Sequence, residues 1–160
     1  MMRRFALCAL ALVVPFVAGC GKNPTDSLDF KAPAGWTSTP SMFGFKLWIK
    51  GGKSNEVVVL MDVSGKADAK LDQDISKEIG SNGYSGNVGA VEKRSRIKIC
   101  GNHDAEYMEA RANKNGQRSQ TQIVLTNWNK DLYIALYSYP ANVAADPAGE
   151  AAIRSLCLKT

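Results

Sequence analysis

The chain is poor in the residues on which most enzyme sites depend. Among its 160 residues, histidine occurs once, as His103, and cysteine occurs four times. Neither a Gly-x-Ser-x-Gly elbow nor an HExxH helix is present, which excludes two common hydrolase signatures. Metal sites usually offer close cysteine or histidine pairs such as C-x-x-C, whereas Cys100 and Cys157 lie far apart in the sequence and His103 is the only histidine. We therefore expect a protein that is not an enzyme and that has no cofactor and no metal.

The chain also lacks a large excess of one charge and a long apolar run. It carries 20 basic and 15 acidic side chains, a net charge of +5. Without Arg3 and Arg4 the net charge is +3, which is too weak to indicate nucleic-acid binding. A membrane-spanning helix needs about 20 consecutive apolar residues, and the apolar run at residues 5–18 is shorter. Apolar residues make up 45% of the chain, as in a globular domain.

The N-terminus has the three parts of a secretory signal. Arg3 and Arg4 precede the apolar run at residues 5–18, and small residues lead up to Cys20. The segment Val17-Ala18-Gly19-Cys20 resembles the lipobox of bacterial lipoproteins, which implies cleavage before Cys20 and diacylglycerol on its thiol. The alternative is an ordinary secretory signal that contains a cysteine. We expect a signal peptide at 1–19, a lipidated cysteine and polar tether at 20–27, and a single domain at 28–160.

Cleavage would leave one exported domain with two cysteines in its body. Removing the first 19 of the 160 residues leaves 141, with 18 basic and 15 acidic side chains. A chain of this length can bury a core and fold as one domain. Disulfides persist in oxidising compartments, so we predict a Cys100–Cys157 bridge. Two free thiols or a metal site are the alternatives.

Alternation and turn residues predict strands at 28–30, 43–49, 57–63, 91–100, 105–112, 120–128 and 132–139. Asn115-Gly116 predicts a two-residue hairpin turn. Leu71, Ile75 and Ile79 predict an amphipathic helix over 68–79, and Asp146-Pro147 opens a second helix that runs to about residue 158. The predicted fold is α+β, an antiparallel sheet in the order β-β-β-α-β-β-β-β-α with both helices packed on it.

This order and three local segments resemble the PsbP-like α/β/α sandwich. The group includes extrinsic photosystem II proteins, a Ran-binding nuclear import factor and DcrB-type periplasmic lipoproteins. The segments are residues 30–36, Leu132-Tyr133 with Tyr137, and residues 151–156. The resemblance implies non-enzymatic members that bind or help to assemble protein complexes, and it supplies no catalytic residues.

Four residues are candidates for contact with a partner. Arg94, Arg96 and Lys98 alternate, so they share one face of a strand. They could form a basic stripe for phospholipid headgroups or an acidic partner, or a solvated face. Tyr84 lies in the glycine-rich segment 80–89, which could be a contact loop or a plain connector.

Aromatic residues out of phase with their strands, namely Trp48, Trp128 and Tyr139, could be covered by helices or form an exposed patch.

Two further motifs are better explained by structure than by chemistry. Gly51-Gly52-Lys53-Ser54 ends like a P-loop, but Leu47 stands where the first glycine is required, so it predicts a hairpin turn. His103 could act as a general base or metal ligand with Asp104 or Glu106. Its expected place in a turn between strands instead indicates a structural or solvated side chain.

The sequence therefore predicts a lipid-anchored, extracytoplasmic module that binds an envelope protein or complex without catalysis. The alternative is a small-ligand or lipid-binding lipoprotein with a pocket between sheet and helices. Gly21 follows the lipidated cysteine, and the absence of aspartate there favours the periplasmic side of the outer membrane in a diderm organism. We expect the lipid anchor to be its membrane contact.

Overall fold

A computed structural model of the chain describes residues 23–41, 44–51, 56–63, 91–114, 117–129 and 131–159. One antiparallel sheet dominates this part of the molecule. The elements are α1 (Pro24–Ser27), β1 (Leu28–Asp29), β2 (Thr37–Ser38), β3 (Phe45–Ile49), β4 (Val57–Val63), β5 (Lys93–Ile99), β6 (His103–Lys114), β7 (Gln117–Trp128), β8 (Asp131–Pro140), α2 (Pro147–Arg154) and β9 (Cys157–Leu158).

Seven strands form the main sheet, in the order β2-β3-β4-β8-β7-β6-β5. The run from β5 to β8 is a meander in which each strand pairs with the next one along the chain. β4 then joins the free side of β8, with Val57 opposite Ser138 and Val63 opposite Leu132. A separate two-stranded sheet pairs β1 with β9, the first and last strands of the part of the chain that the structure describes.

The sheet has two apolar faces because its central strands are buried on both sides. The first face carries Trp48, Val58, Leu60, Val124 and Tyr137 with the core residues of α2. The second face carries a smaller cluster formed by Met108, Ile123, Leu125, Leu132 and Ile134. Adjacent residues of one strand, such as Ile123 and Val124, are both fully buried because successive side chains point to opposite faces.

Helix α2 lies on the first face and begins at a well-formed cap. Asp146 Oδ1 accepts a hydrogen bond from Ala148 N at 2.8 Å, and Pro147 occupies the first turn. Gly149 lies so close to the sheet that a Cβ on it would be 2.7 Å from the ring of Tyr137. Ala152 and Ile153 complete the buried side of the helix.

The C-terminus differs from the predicted helix. Helix α2 ends at Arg154, not near residue 158, and Ser155 is its C-cap. Ser155 Oγ donates to Ala152 O at 2.7 Å and accepts from Lys31 N at 2.9 Å. The chain then forms β9, so Cys157 lies in a strand and not in the last helix. The predicted order also omits α1 and β2.

Two other predictions fall on residues outside the described ranges, and the predicted tether lies partly within them. The helix predicted over 68–79 and the turn at Asn115-Gly116 lie outside the described residues, although Lys114 pairs with Gln117 on either side of that turn. Residues 23–27 of the predicted tether form α1 and its N-cap. Asn23 Oδ1 accepts hydrogen bonds from Thr25 N at 3.1 Å and from Ser41 Oγ at 2.7 Å.

Candidate functional site

A ladder of opposite charges runs along β5, an edge strand of the main sheet. In the described part of the chain β5 pairs with one neighbour only, β6, and its side chains alternate between the two faces. On the second face Arg94 Nε lies 2.8 Å from Glu106 Oε1, and Lys98 Nζ lies 2.9 Å from Asp104 Oδ1. We name the charged side chains of β5 and their β6 partners the charge ladder.

The predicted basic stripe is present, but β6 supplies acidic partners along it. Arg94, Arg96 and Lys98 are all exposed on one face, as their alternation requires. The hydrogen bond from Lys98, with its charge, lowers the pKa of Asp104 below its ordinary value, and the nearby Arg96 adds to this. Tyr84, the other predicted contact residue, lies outside the described residues.

The other face of β5 holds a cluster that alternation along β5 alone does not reveal. Lys93 Nζ lies 3.2 Å from Glu109 Oε1, and the Tyr107 hydroxyl donates to the same oxygen at 2.9 Å. Arg154 of α2 lies 4.6 Å above the Tyr107 ring, a cation–π distance. Burial, followed by the hydrogen bond to Glu109, raises the pKa of Tyr107. This hydroxyl therefore stays protonated at neutral pH.

A second polar contact links this cluster to α2. Gln122 is buried in β7, and its Nε2 donates to Glu150 Oε1 at 2.6 Å. The register places Gln122 beside Glu109 on β6 and Tyr137 on β8. Sequence reasoning missed these residues because it had no strand register. The polar pattern of Lys93, Glu109 and Gln122 becomes visible only when three strands are aligned.

A buried ionic network fixes the start of α2 to the sheet. Glu56 is 1% exposed, and it accepts hydrogen bonds from Lys50 Nζ at 2.9 Å and from the Tyr137 hydroxyl at 2.5 Å. Lys50 Nζ also lies 2.7 Å from Asp146 Oδ2, and Asp146 N donates to the Tyr137 hydroxyl. Both Glu56 carboxylate oxygens thus have partners, which is the pattern of a structural junction.

The network shifts the pKa of three of its members. Hydrogen bonds to Asp146 and then to Glu56 raise the pKa of Lys50. The hydrogen bond from Lys50, followed by that from Ala148 N, lowers the pKa of Asp146. Burial is the main cause of the raised pKa of Tyr137, and its bond to Glu56 adds to it. A sequence signal for this junction exists, because Glu56 directly precedes the apolar run at residues 57–61.

Within the described ranges, His103 has no carboxylate partner on its own face of the sheet. It is the first residue of β6, where a turn was expected, and its Nε2 lies 3.1 Å from Asn127 O. Its ring stacks on Trp128 with centroids 4.3 Å apart. Asp104 and Glu106 point to the opposite face, where they pair with Lys98 and Arg94. The geometry therefore does not place His103 beside Asp104 or Glu106, as a general-base pair or a shared metal site would require.

The two cysteines predicted to pair lie close together. The Cα atoms of Cys100 and Cys157 are 5.0 Å apart, within the range of disulfides. Cys100 and Gly101 both have positive φ, 49° and 80°, in the turn between β5 and β6. This turn reaches β9, so a bridge would tie the edge of the main sheet to the small sheet. The distance supports the predicted disulfide.

The out-of-phase aromatic residues pack against other rings. Trp48 is 5% exposed and lies 5.0 Å from Phe30, ring to ring. Tyr139 stacks on Tyr137 at 4.9 Å. On β3 it is Ile49, one of the in-phase residues, that is 44% exposed. The first face therefore takes Trp48 into the core, and the expected phase of β3 is wrong.

Neither a spanning helix nor a metal cluster is found in the parts of the chain that the structure describes. No helix there is long and apolar enough to cross a membrane. No group of three or more histidine, cysteine, aspartate or glutamate side chains within the same described ranges could hold a metal ion. Cys20 lies outside these ranges.

Comparison with known proteins identifies the fold and no family. No family model and no curated protein matches the sequence. A solved structure from Bacteroides thetaiotaomicron superposes with a TM-score of 0.58 at 15% identity, over 87% of this chain. The match covers 47% of that protein, so the present chain spans about half of its length. At this identity the likeness shows a shared fold alone.

Two other solved structures are more distant. LpqN, involved in cell envelope biogenesis of Mycobacterium tuberculosis, has a TM-score of 0.46 at 14% identity, with 81% of this chain and 82% of that protein covered. A Pseudomonas aeruginosa protein of unknown function has a TM-score of 0.42 at 12% identity, with 70% and 98% covered. Both scores are too low to transfer any property to this chain.

Proposed function

We propose that this protein is a lipid-anchored, extracytoplasmic binding module that docks another envelope protein through β5. The observation that carries the proposal is the charge ladder on an edge strand. β5 is seven residues long and carries four cationic side chains, of which Lys93, Arg94 and Lys98 have side chains 61%, 41% and 53% exposed. An edge strand also offers backbone groups to a partner.

The ladder suits a protein partner better than an anionic membrane. Four cations on β5 face three paired carboxylates on β6, namely Asp104, Glu106 and Glu109, which leaves a net charge of only +1. Membrane surfaces attract basic segments by net positive charge. A surface on which positive and negative side chains alternate instead binds best to a partner whose charges alternate in the complementary order. Exposed ion pairs contribute only about 0–1 kcal/mol each, so they can re-pair on docking.

The proposal assigns no catalysis to the domain. His103 is held by Asn127 O and Trp128, and the Lys50–Glu56–Tyr137–Asp146 network satisfies its own hydrogen bonds. The close approach of Gly149 to Tyr137 leaves α2 in direct contact with the sheet. This packing favours a binding surface over a ligand pocket beneath α2.

The cellular location of the protein is also proposed from its sequence. Cys20 carries the acyl chains, and Gly21 favours the periplasmic side of the outer membrane in a diderm cell. The PsbP-like resemblance extends this proposal to the fold. In it, the amphipathic helix at 68–79 covers the second face, completing an α/β/α sandwich. The apolar cluster at Met108, Ile123 and Leu125 supports a cover there, because such a cluster needs burial.

A charge swap within the ladder tests the docking surface while keeping its ion pairs. In the variant, R94E is combined with E106R, and K98E with D104K, so the net charge and the pairs are unchanged but the pattern is inverted. The full lipoprotein is crosslinked in cells and the trapped proteins are identified by mass spectrometry. We expect the swap to reduce the major adduct at least about tenfold, because like charges meeting across an interface cost several kcal/mol.

A matched swap on the other face is the control. Arg111 Nε lies 3.2 Å from Glu92 Oε2 on the first face, so the R111E/E92R variant inverts an exposed pair of the same chemistry. It should leave the adduct unchanged. An adduct that survives the ladder swap would contradict docking through the second face of β5. Co-purified lipid or a small molecule without any protein adduct would favour the alternative, a ligand-binding lipoprotein.

A further inference from the structure

The N-terminal segment is fixed to the domain almost as far as the proposed anchor. Asn23 caps α1 and also accepts a hydrogen bond from Ser41 Oγ, and Pro24 is buried. Lys159 N donates to Ser27 O at 3.0 Å, and Lys159 Nζ donates to Thr25 O at 2.5 Å. Three hydrogen bonds from distant parts of the chain therefore hold residues 23–27, and these residues add no reach to a tether.

Only two residues, Gly21 and Lys22, separate the fixed Asn23 from Cys20. Three peptide steps span at most roughly 11 Å when fully extended. The tether is thus less than half as long as the roughly 25 Å available to a free segment of seven residues. A folded domain on so short a tether keeps its attachment point within about one headgroup layer of the bilayer.

The attachment point lies at one end of the main sheet. Asn23 bonds to Ser41, and nearby Gly44 O accepts a hydrogen bond from Asp62 N at 2.9 Å. Asp62 pairs with Tyr133, close to the start of β8. From Tyr133 the strand continues seven residues to Pro140, which is about 23 Å at 3.3 Å per residue. Val143 follows in a turn at this far end and is 41% exposed.

We propose that the α1 end of the sheet rests against phospholipid headgroups and that the end bearing Val143 points away from the membrane. This inference rests on the proposed lipid anchor at Cys20 and adds the orientation of the domain to it. The exposed residues around α1 carry charges of both signs, namely Asp26, Asp29 and Lys159, so charge does not draw this end to an anionic membrane. The short tether therefore sets the orientation. In this orientation the charge ladder lies along the side of the domain, with Lys98 nearer to the membrane than Arg94.

Site-directed spin labels on the intact lipoprotein measure the orientation. The full chain is expressed with its signal, purified and reconstituted in phosphatidylethanolamine–phosphatidylglycerol vesicles that contain a nickel-chelating lipid. D26C places a nitroxide on α1, and V143C places one at the far end. With Cys20 acylated and Cys100 bridged to Cys157, the introduced thiol is the one that reacts. We expect relaxation by the nickel lipid to be several-fold stronger at position 26 than at position 143.

A longer tether is the matched control. Twelve Gly-Ser residues inserted between Lys22 and Asn23 add a root-mean-square reach of roughly 20 Å. The ratio between the two labels should then fall toward one. In the native chain the ratio should persist in 1 M salt, where the Debye length is about 3 Å. Collapse of the ratio in salt would show that charge orients the domain, and the proposal would be wrong.

The remaining outcomes separate the orientation from the anchor. The mass of the N-terminal peptide reports whether Cys20 carries diacylglycerol. Acylated protein with equal relaxation at positions 26 and 143 overturns the orientation alone. A ratio that the insertion leaves unchanged overturns the short tether as the cause of the orientation. A peptide without acyl groups overturns the anchor in the proposed function, and the orientation with it.

Discussion

At the residue scale, the buried junction around Glu56 shows what sequence reading could not reach. The sequence places Glu56 before a strand and Lys50 after another, but their contact with Tyr137 and Asp146 depends on the pairing of β3, β4 and β8. A buried carboxylate is costly unless its oxygens are satisfied. The partners that satisfy Glu56 come from up to 81 residues away in the chain.

This junction predicts a loss of stability at alkaline pH. The pKa of Lys50 is raised above 10.5 and that of Tyr137 above 10.0 in the folded protein. The unfolded chain therefore releases these protons first, and the stabilisation is complete below about pH 10 and is lost as the pH rises through the folded values. Urea unfolding between about pH 8 and pH 12 should show a falling free energy of unfolding above about pH 10.

The Y137F variant is the control for the alkaline transition. It removes the titrating hydroxyl but keeps the ring against Gly149, so its stability should fall less steeply above about pH 10 than that of the native protein. Tyrosinate absorbance gives an independent readout, because burial also raises the pKa of Tyr107, Tyr133 and Tyr139. Native tyrosines that ionise as readily as those of the urea-unfolded chain would contradict this account.

At the element scale, long periodic segments were predicted well and short ones were missed. The strand predicted at 57–63 has the bounds of β4, and the meander from β5 to β8 contains the four strands predicted there. β9 was missed because its two residues have no period of their own and are set by pairing with β1. The phase of β3 was misjudged because alternation predicts Phe45, Leu47 and Ile49 as the buried set. In the structure Trp48, on the other face, is the buried residue and Ile49 is exposed.

Helix α2 gives a prediction that opposes helix propensity. Alanine favours a helix over glycine by about 1 kcal/mol. A Cβ at position 149 would nevertheless lie 2.7 Å from the Tyr137 ring, and overpacking of this kind costs about 1–3 kcal/mol. G149A should therefore destabilise the protein in urea unfolding. The exposed A151G variant measures the propensity effect alone. A more stable G149A protein would show that the helix does not approach the sheet so closely.

At the scale of the whole molecule, the first and last strands meet the edge of the main sheet near one cysteine pair. The Cys100–Cys157 bridge would close a loop of 57 residues, worth about 4 kcal/mol in the chain-entropy model. The C100S/C157S variant should lose about that much unfolding free energy, measured by urea denaturation. Reduction of the native protein should give the same loss. A native protein whose urea midpoint is unchanged by reductant would argue that the bridge is absent.

The whole-molecule view also explains which parts of the candidate site the sequence could predict. Alternation alone placed Arg94, Arg96 and Lys98 on one face of a strand. It could not show that β6 supplies acidic partners, since Glu106 and Asp104 meet that face only through the antiparallel register. The stripe is basic when β5 is considered alone, but its net charge is close to zero when the carboxylates of β6 are included. This changes the proposed partner from lipid to protein.

The most direct measurement of the central claim is site-specific photo-crosslinking of the full lipoprotein in cells. A photoreactive residue replaces Arg96 in β5 or, as the control, Val143 at the far end of the sheet. The account predicts one discrete protein adduct from position 96, at most a faint one from position 143, and loss of the adduct in the ladder swap at Arg94, Glu106, Lys98 and Asp104. Equal adducts from both positions, or none from position 96, would contradict docking through β5.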